Sequence, residues 1–228
     1  MTPLVLWDVD GTLVDADGLG TRMYEVVFLS MFGRELTTVA PKAGRTDRAI
    51  IGDTLVLAGV PEAPAWVDPF LAALSKHVAS LDGEAGAVVR ALPGAAQALR
   101  ALDGGAYQSV LTGNVRPLAE LKLRAGGLGE PLNFDAGAYG DAHEVRAELV
   151  GVARRAARAV YSADFDGPAT VLVGDTPLDI AAAVATGARA VGVATGSYSA
   201  ADLAAAGAHA VLPDLSDTAR VLAAVTGT

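Results

Sequence analysis

Two carboxylates stand at the end of the first apolar run of the chain. Residues 4–7 read Leu-Val-Leu-Trp and are followed by Asp8, Val9, Asp10 and Gly11. Four apolar residues in succession indicate a strand buried on both faces, and side chains two positions apart on a strand point the same way. Because like charges held together away from water repel each other, we expect a cation to be bound there. The alternative is a turn that ends the strand, since Asp and Gly are common turn residues.

Polar residues also stand at the ends of two later stretches that read as strands. The first ends with Thr112, Gly113 and Asn114, and the second, which is strongly apolar, is followed by Asp175 and Asp179. In an open parallel sheet the carboxyl ends of the strands border one crevice, so we expect these side chains to gather with the first two carboxylates. Oxygen ligands without His or Cys suit a hard cation, and they indicate Mg²⁺.

Each of these later segments also has a purely structural interpretation. Residues 112–114 could form a turn with a helix cap. Residues 176–179, Thr-Pro-Leu-Asp, match a capping box in which Thr176 is the cap and Pro177 occupies the first helical position. A capping role does not explain Asp175, which precedes the cap at the end of a buried strand.

Strands alternate with helices through most of the chain, which predicts an α/β fold with a doubly wound parallel sheet. Strands are predicted at residues 4–7, 107–112, 133–138 (short and weak), 169–173, 190–193 and 210–212, the last of them an edge strand. Helices are predicted at residues 94–102, 114–124, 144–160 and 178–185.

The segment after the first strand departs from this alternation. Helical patterns predict three helices in this segment. The first covers residues 19–32, the second follows a cap at Thr46 or Asp47 and runs to residue 57, and the third covers residues 65–81 and is ended by residues 82–86. No convincing strand is predicted between residues 15 and 89. We therefore predict an all-helical cap domain at residues 15–89, inserted into a core domain of residues 1–14 and 90–228.

Composition limits the kinds of partner and the compartment. The chain of 228 residues is 52% hydrophobic, has no cysteine and carries a net charge of −9. The charge argues against nucleic acid as a partner, and the absence of cysteine fits a reducing compartment. The three histidines lie far apart without metal-ligand spacing. Neither a signal peptide nor a membrane span is indicated, so we expect a soluble cytoplasmic protein, monomeric or homodimeric.

Three segments together resemble the signature motifs of the haloacid dehalogenase superfamily. They are residues 8–15 (Asp-Val-Asp-Gly-Thr-Leu-Val-Asp), 111–114 (Leu-Thr-Gly-Asn) and 174–179 (Gly-Asp-Thr-Pro-Leu-Asp). The resemblance covers nearly the whole chain and implies a Rossmann-like core with a helical cap inserted after the first strand.

The resemblance also implies a role for each matching position. Asp8 would be the nucleophile that accepts the phosphoryl group, and Asp10 would protonate the leaving alkoxide and later activate water. Mg²⁺ would be held by Asp8, the main-chain carbonyl of Asp10, Asp175 and, with assistance through water, Asp179. Thr112 would donate a hydrogen bond to a phosphoryl oxygen, with Gly113 and Asn114 beside the substrate.

The cation that the superfamily places beside the nucleophile is not fixed by the sequence. It is usually a Lys followed by Pro, and no Lys-Pro pair occurs here. Arg146 stands at about the expected place, and Lys122, which interrupts the apolar face of its helix, is the alternative. In the cap, we expect Arg45 to contact the distal part of the substrate, and Lys42 is a second candidate.

The resemblance favours a Mg²⁺-dependent phosphatase that hydrolyses a small phosphate monoester, of the phosphoglycolate or sugar phosphate type, through an aspartyl phosphate. Its partner would be a small phosphorylated metabolite. The alternatives are a phosphosugar mutase of the same superfamily and, in a different class, a phosphoacceptor regulatory or binding module. The helical cap and Asp10 argue against the regulatory module, because Asp10 would hasten hydrolysis of the phosphorylated protein.

Overall fold

Five parallel strands form the main sheet of the protein, whose computed structural model describes residues 2–81 and 88–227. The strands of the chain are β1 (Leu4–Trp7), β2 (Val14–Asp15), β3 (Arg90–Ala91), β4 (Tyr107–Val110), β5 (Thr170–Gly174), β6 (Arg189–Val193) and β7 (Ala210–Leu212). The order across the main sheet is β4–β1–β5–β6–β7, with β7 at the edge as predicted.

Strand β1 lies inside the sheet, and its side chains are buried on both faces. Val5 and Trp7 belong to one core cluster, while Leu4 and Leu6 belong to the other. This alternation confirms the interpretation of an apolar run without polar residues as a strand covered on two sides. Strand β1 lies between β4 and β5, and the chain crosses from β4 on one side of β1 to β5 on the other, which places a crevice at the carboxyl end of β1.

Helices cover both faces of the sheet, which confirms the doubly wound α/β prediction. They are α1 (Leu19–Phe32), α2 (Asp47–Leu57), α3 (Val67–Ala79), α4 (Ala95–Ala101), α5 (Arg116–Ala125), α6 (Arg146–Tyr161), α7 (Pro177–Ala185), α8 (Ala200–Ala205) and α9 (Thr218–Thr226). Buried residues of α4, α5 and α9 join one core cluster, and those of α6, α7 and α8 join the other. Within residues 2–81 and 88–227, no helix combines the length and apolar character that crossing a membrane requires.

The described part of the segment between β2 and β3 contains the helices α1, α2 and α3, joined by loops, and no strand. Thr46 caps α2, since its hydroxyl accepts a hydrogen bond from Ala49 N at 3.3 Å, and Asp47 is the first helical residue. The third predicted helix begins as a 3₁₀ turn at Ala63–Trp66 before α3, and its predicted end at residues 82–86 lies outside the described residues. The buried residues of these helices continue one core cluster of the sheet. The division into two domains stays a prediction.

A short antiparallel ladder joins the two chain segments that lead into and out of this helical insert. Val14 is paired with Ala91, and Asp15 is paired with Arg90. Two residues on each side are too few to produce a recognisable alternation, so this ladder was not predicted from the sequence. It brings the two connections of the insert side by side.

The weak strand predicted at residues 133–138 is wrong. The structure has a 3₁₀ turn at Phe134–Ala136, and only Ala138 pairs with the sheet, as an isolated bridge to Leu111. The side chain of Asn133 accepts a hydrogen bond from Asp135 N at 3.0 Å. A local side-chain bond of this kind offers the backbone an alternative to strand pairing.

Candidate active site

The register of the sheet brings two of the acidic strand ends to one level. Trp7 is opposite Val173 in the pairing of β1 with β5. The next residue, Asp8, donates its backbone N–H to Val173 O at 2.8 Å. Asp175 follows directly after β5, so its carboxylate and that of Asp8 reach the same crevice.

The buried side chains of Asp8, Asp175 and Asp179 form a carboxylate cluster with the chemistry of a metal site. Each offers an oxygen, and these three oxygens lie within 4.8 Å of one another. The Asp175 carboxylate fits closely between Gly11 and Gly196, where a Cβ on either glycine would overlap it. A set of hard oxygen donors this close together fits Mg²⁺.

Burial and mutual repulsion raise the pKa values of two members of this carboxylate cluster. Burial raises the pKa of Asp8 to about 6, although the Arg146 guanidinium favours the charged form. Burial, with Asp8 and Asp179 nearby, raises the pKa of Asp175 to about 8. A divalent cation among these carboxylates would offset the repulsion and favour their ionised forms.

Asp179 combines the capping role and the site position that the sequence left as alternatives. Its Oδ2 accepts hydrogen bonds from Thr176 N at 3.1 Å and Thr176 Oγ1 at 2.7 Å, which forms the predicted capping box of α7. Its Oδ1 lies 2.6 Å from Arg146 Nη2. Both oxygens therefore already have partners within the protein, which fits a ligand that assists through water.

Arg146 lies buried beside this carboxylate cluster and contacts the end of β4 as well. Its Nη2 donates to Asp8 Oδ1 at 2.8 Å and to Leu111 O at 3.0 Å. Its Nη1 donates to Gly44 O at 3.2 Å, in the loop before α2. Among the described residues, the buried Nε has no hydrogen-bond partner. Arg146 thus occupies the position expected of the cation beside Asp8.

Lys122 has a different carboxylate partner. Although Lys122 is only 3% exposed, its Nζ donates to Asp10 Oδ2 at 2.7 Å, to Asp10 Oδ1 at 2.8 Å and to Asn114 Oδ1 at 2.8 Å. Asn114 Nδ2 in turn donates to Asp10 Oδ2 at 2.7 Å. Burial alone would raise the pKa of Asp10, but Lys122 and Asn114 together hold that pKa below its usual range.

The two strand-end carboxylates are therefore not a pair around one cation. Asp8 belongs to the buried carboxylate cluster and is paired with Arg146, whereas the Asp10 side chain is 46% exposed and is paired with Lys122. The Asp10 carboxylate is not among the three that could share a metal ion, so its predicted metal contact would come from its main-chain carbonyl, as the resemblance implies. Arg146 and Lys122, expected as alternatives for one position, serve one carboxylate each.

Thr112 and Gly113 shape the loop after β4. Thr112 is fully buried, and its hydroxyl accepts hydrogen bonds from Asn114 N at 3.2 Å and Asn114 Nδ2 at 2.9 Å. Gly113 permits the insert to approach, because a Cβ there would overlap Arg45 O. Gly113 and Asn114 line the cavity. The predicted contact of Thr112 with a phosphoryl oxygen stays a prediction.

Both cationic candidates of the insert line the same cavity. Arg45 is already paired within the insert, since its Nη2 lies 2.6 Å from Asp53 Oδ2 and its Nη1 donates to Pro41 O at 3.0 Å. Lys42 donates to Thr21 Oγ1. Burial and the nearby Lys122 ammonium lower the pKa of Lys42. Substrate contacts of Arg45 and Lys42 stay predictions.

The cavity has a volume of about 530 Å³ and lies between the carboxyl ends of the strands and the insert. Sequence reasoning missed several residues that line it, namely Tyr24, Asp47, Thr195, Gly196, Ser197 and Tyr198. Residues 195–198 follow β6 as a polar segment, so the rule that placed the other strand ends could also have found them. Asp47 was assigned only as a possible helix cap, and nothing local indicated its contact with the core.

The histidines lie apart from the carboxylate cluster. His143 and His209 are exposed, and their Nδ1 atoms accept backbone hydrogen bonds from Val145 and Ala190 at 3.0 Å. His77 lies in the last turn of α3. In the described ranges, no histidine belongs to a group that could hold a metal ion.

Solved structures share this fold over nearly the whole chain. A hydrolase from Pseudomonas syringae is 22% identical with a TM-score of 0.65, and the match covers 97% of this chain and 98% of that chain. A predicted phosphatase from Clostridium acetobutylicum is 18% identical with a TM-score of 0.68, covering 97% and 99%. A protein from Bacteroides vulgatus named for β-phosphoglucomutase is 17% identical with a TM-score of 0.65, covering 99% and 89%.

Comparison with protein families gives a more specific result. No curated protein matches the chain. The family model of the haloacid dehalogenase-like hydrolases matches residues 5–183, and a second model of hydrolases of the same kind matches residues 150–218. The first match includes all three motifs and more than half of the chain. The chain therefore belongs to the haloacid dehalogenase-like hydrolase family.

Proposed function

We propose that the protein is a Mg²⁺-dependent phosphatase that hydrolyses a small phosphate monoester through an aspartyl phosphate on Asp8. The observation that carries the proposal is the separation of two neighbouring carboxylates into two environments. Asp8 is buried with Asp175, Asp179 and Arg146, while the half-exposed Asp10 is held by Lys122 beside the cavity. Two carboxylates in different environments suit two different roles, attack and proton transfer.

Asp8 is placed for attack on a phosphoryl group at the end of β1. Its carboxylate oxygen would form a bond to phosphorus as the bond from phosphorus to the ester oxygen breaks. Arg146 would hold Asp8 in place and, with its guanidinium charge, would offset negative charge that develops on the phosphoryl group. Mg²⁺, held by Asp8, Asp175, the main-chain carbonyl of Asp10 and, through water, Asp179, would neutralise charge on the phosphoryl oxygens.

Asp10 would move the proton in both halves of the reaction. In the first half it would donate a proton to the leaving alkoxide, and in the second it would take one from the water that attacks phosphorus. That attack releases inorganic phosphate and restores the Asp8 carboxylate. The hydrogen bonds from Lys122 and Asn114 lower the pKa of Asp10 and so favour the carboxylate that takes the proton in the second half, whereas an anionic phosphate ester bound beside it would favour the protonated form that the first half needs. Exposure of Asp10 to the cavity gives substrate and water access.

The cavity supports a small anionic or hydroxylated substrate, such as a phosphoglycolate or sugar phosphate type of ester. Its volume of about 530 Å³ is in the range of small-molecule sites. Lys42 and Arg45 line it from the insert and would contact the part of the substrate that is distal to the phosphate. The partner would thus be a small phosphorylated metabolite, with the protein acting as a monomer or homodimer.

Phosphate release from an aryl phosphate, with and without Mg²⁺, tests the proposal. We expect release that requires Mg²⁺ in the wild type and its loss in Asp8→Asn. Asp103→Asn, an exposed Asp on the core, is the matched control and should retain activity. Equal release by wild type and Asp8→Asn would contradict the proposal. A panel of phosphate esters, ranked by kcat/KM, would then identify the substrate class.

A phosphosugar mutase is the second candidate, because the similar protein from Bacteroides vulgatus is named for that activity. A mutase would use the same two carboxylates but return the phosphoryl group to a sugar instead of water. Incubation with a hexose phosphate and its bisphosphate, followed by phosphorus NMR, separates the two. Positional exchange without free phosphate would identify a mutase, and free phosphate alone a phosphatase.

A further inference from the structure

Asp47, in the insert, contacts the core on both sides of Asn114. Its backbone N–H donates to Gly113 O at 2.7 Å. Its carboxylate Oδ2 accepts the backbone N–H of Val115 at 2.7 Å. One residue of the insert therefore fixes the two peptide groups that flank Asn114, although 67 positions separate Asp47 from Asn114.

The Asp47 carboxylate is itself held firmly by the insert. It is only 5% exposed, and its Oδ1 accepts a hydrogen bond from Tyr24 OH on α1 at 2.5 Å. Asp47 is the first residue of α2, where a negative charge is favoured by the helix dipole. One oxygen thus binds the insert and the other binds the core, which makes this carboxylate a rigid link between them.

Neighbouring contacts leave this link little freedom. Arg48 N donates to Gly140 O at 3.0 Å, and Thr46 Oγ1 donates to Glu144 O at 3.0 Å. The Arg45 carbonyl approaches Gly113 so closely that no side chain fits at Gly113. Residues 45–48 are therefore seated on the core loops through main-chain contacts and through the side chains of Thr46 and Asp47. A shift of α2 would move the segment of the core that carries Asn114.

Asn114 connects this segment to Asp10, the residue that would act as both acid and base in the proposed reaction. Its amide donates to Asp10 Oδ2 at 2.7 Å and accepts from Lys122 Nζ at 2.8 Å. The geometry points to Asp47 as a positioning residue that acts through Asn114 to place the Asp10 carboxylate for proton transfer when the insert is seated on the core. The inference rests on the proposed function, since it needs Asp10 to transfer the proton.

Three variants separate this role from a general effect on the insert. Asp47→Ala removes the acceptor of Val115 N–H, and a buried donor is left without a partner. Asp47→Asn retains a carbonyl oxygen for Val115 N–H and a side-chain amide that can donate to Tyr24 OH. Glu25→Ala, an exposed acid next to Tyr24 on α1, is the charge control.

Amide hydrogen exchange of residues 112–116 gives a measurement that does not depend on activity. We expect faster exchange in Asp47→Ala, and wild-type exchange in Asp47→Asn and Glu25→Ala. Wild-type exchange in Asp47→Ala would overturn the inference. This experiment keeps its meaning even if the wild type releases phosphate from no ester, a result that would contradict the proposed function alone.

The dependence on the leaving group tests proton transfer directly. An alkyl phosphate needs its leaving oxygen protonated far more than an aryl phosphate does, so loss of a positioned acid should affect the alkyl ester more. We expect Asp47→Ala to lower kcat/KM for the alkyl ester by about 100-fold, with a clearly smaller loss for the aryl ester. Asp47→Asn should restore most of both values. Equal losses for the two esters would show a merely structural role and overturn the inference.

Tyr24→Phe provides a second route if Asp47→Ala does not fold. It removes only the hydroxyl that holds the other oxygen of the Asp47 carboxylate. We expect the same preference for the aryl ester with a smaller total loss. An unchanged ratio of the two kcat/KM values in Tyr24→Phe, with unchanged exchange at residues 112–116, would count against the inference.

Discussion

Arg146 donates a hydrogen bond to Asp8 at 2.8 Å, and the two side chains are 5% and 8% exposed. A charge pair this deeply buried depends on both partners, because removal of one leaves the other without compensation. The same guanidinium contacts Asp179 at 2.6 Å and the Gly44 carbonyl at 3.2 Å, so it links the carboxylate cluster to the insert. We therefore expect Arg146 to contribute to stability as well as to the proposed chemistry.

Replacement of Arg146 should impair both stability and activity. We expect Arg146→Ala to lower the free energy of unfolding by about 3–5 kcal/mol, because Asp8 and Asp179 lose their buried counter-charge. We expect phosphate release to fall by at least about 100-fold. Urea unfolding and a phosphate assay measure the two effects. Arg155→Ala, an exposed residue of the same helix, should change neither, and wild-type activity in Arg146→Ala would refute the assigned role.

The pair of Lys122 with Asp10 should give stability that depends on pH. Lys122 holds the pKa of Asp10 below its usual value of 3.8 in the folded protein. This stabilisation is therefore present above the unfolded pKa and is lost as pH falls through the lower folded pKa. We expect the difference in unfolding free energy between wild type and Lys122→Met to be largest near neutral pH and to shrink below about pH 4.

Urea unfolding at a series of pH values from neutral to acidic measures this difference. Lys76→Met, an exposed lysine of α3, is the control and should show no such trend. A difference between wild type and Lys122→Met that does not change with pH would show that Lys122 acts through packing instead of charge.

The polar residues at the strand ends were predictable because each stands at the end of a strand that the sequence indicates, and parallel strands bring such ends together. Asp8 and Asp175 each follow an apolar run, Thr112 ends a further predicted strand, and the carboxyl ends of parallel strands border one crevice. The fold class followed from the same alternation of strands and helices. The weak strand at residues 133–138 failed because a side-chain contact of Asn133, which periodicity does not register, favours a turn there.

The distribution of the cations could not be predicted from the sequence. Whether Lys122 or Arg146 reaches Asp8 depends on how α5 and α6 are rotated against the sheet, which no local pattern specifies. The structure assigns Arg146 to Asp8 and Lys122 to Asp10, a result that neither helix indicates alone. The contact of Asp47 with Val115 was hidden for the same reason, since the two residues meet only through packing of the insert on the core.

Mg²⁺ should stabilise the folded protein through Asp175. A ligand that binds only the folded state adds about 2.7 kcal/mol at a concentration of 100 times its Kd, so the Tm of the wild type should rise with Mg²⁺. Asp175→Asn removes one of the three clustered carboxylates and should lose most of this rise. Thermal unfolding with Mg²⁺ and with EDTA measures it. Asp214→Asn, in the loop after β7, should respond as the wild type does, and a full Mg²⁺ response in Asp175→Asn would exclude Asp175 as a ligand.

Gly113 should tolerate no side chain, because the carbonyl of Arg45 occupies the space that a Cβ would need. Gly113→Ala must push the insert away from the core or move the loop that carries Asn114. We expect a loss of about 1–3 kcal/mol in unfolding free energy, as in other overpacked sites, together with reduced phosphate release. Gly105→Ala is the matched control, since the nearest atom to its Cβ is Leu102 O at 3.6 Å, an ordinary contact. Urea unfolding and the phosphate assay should show a defect in Gly113→Ala alone. Wild-type stability and activity in Gly113→Ala would mean that the insert need not seat this closely on the core for the reaction to proceed.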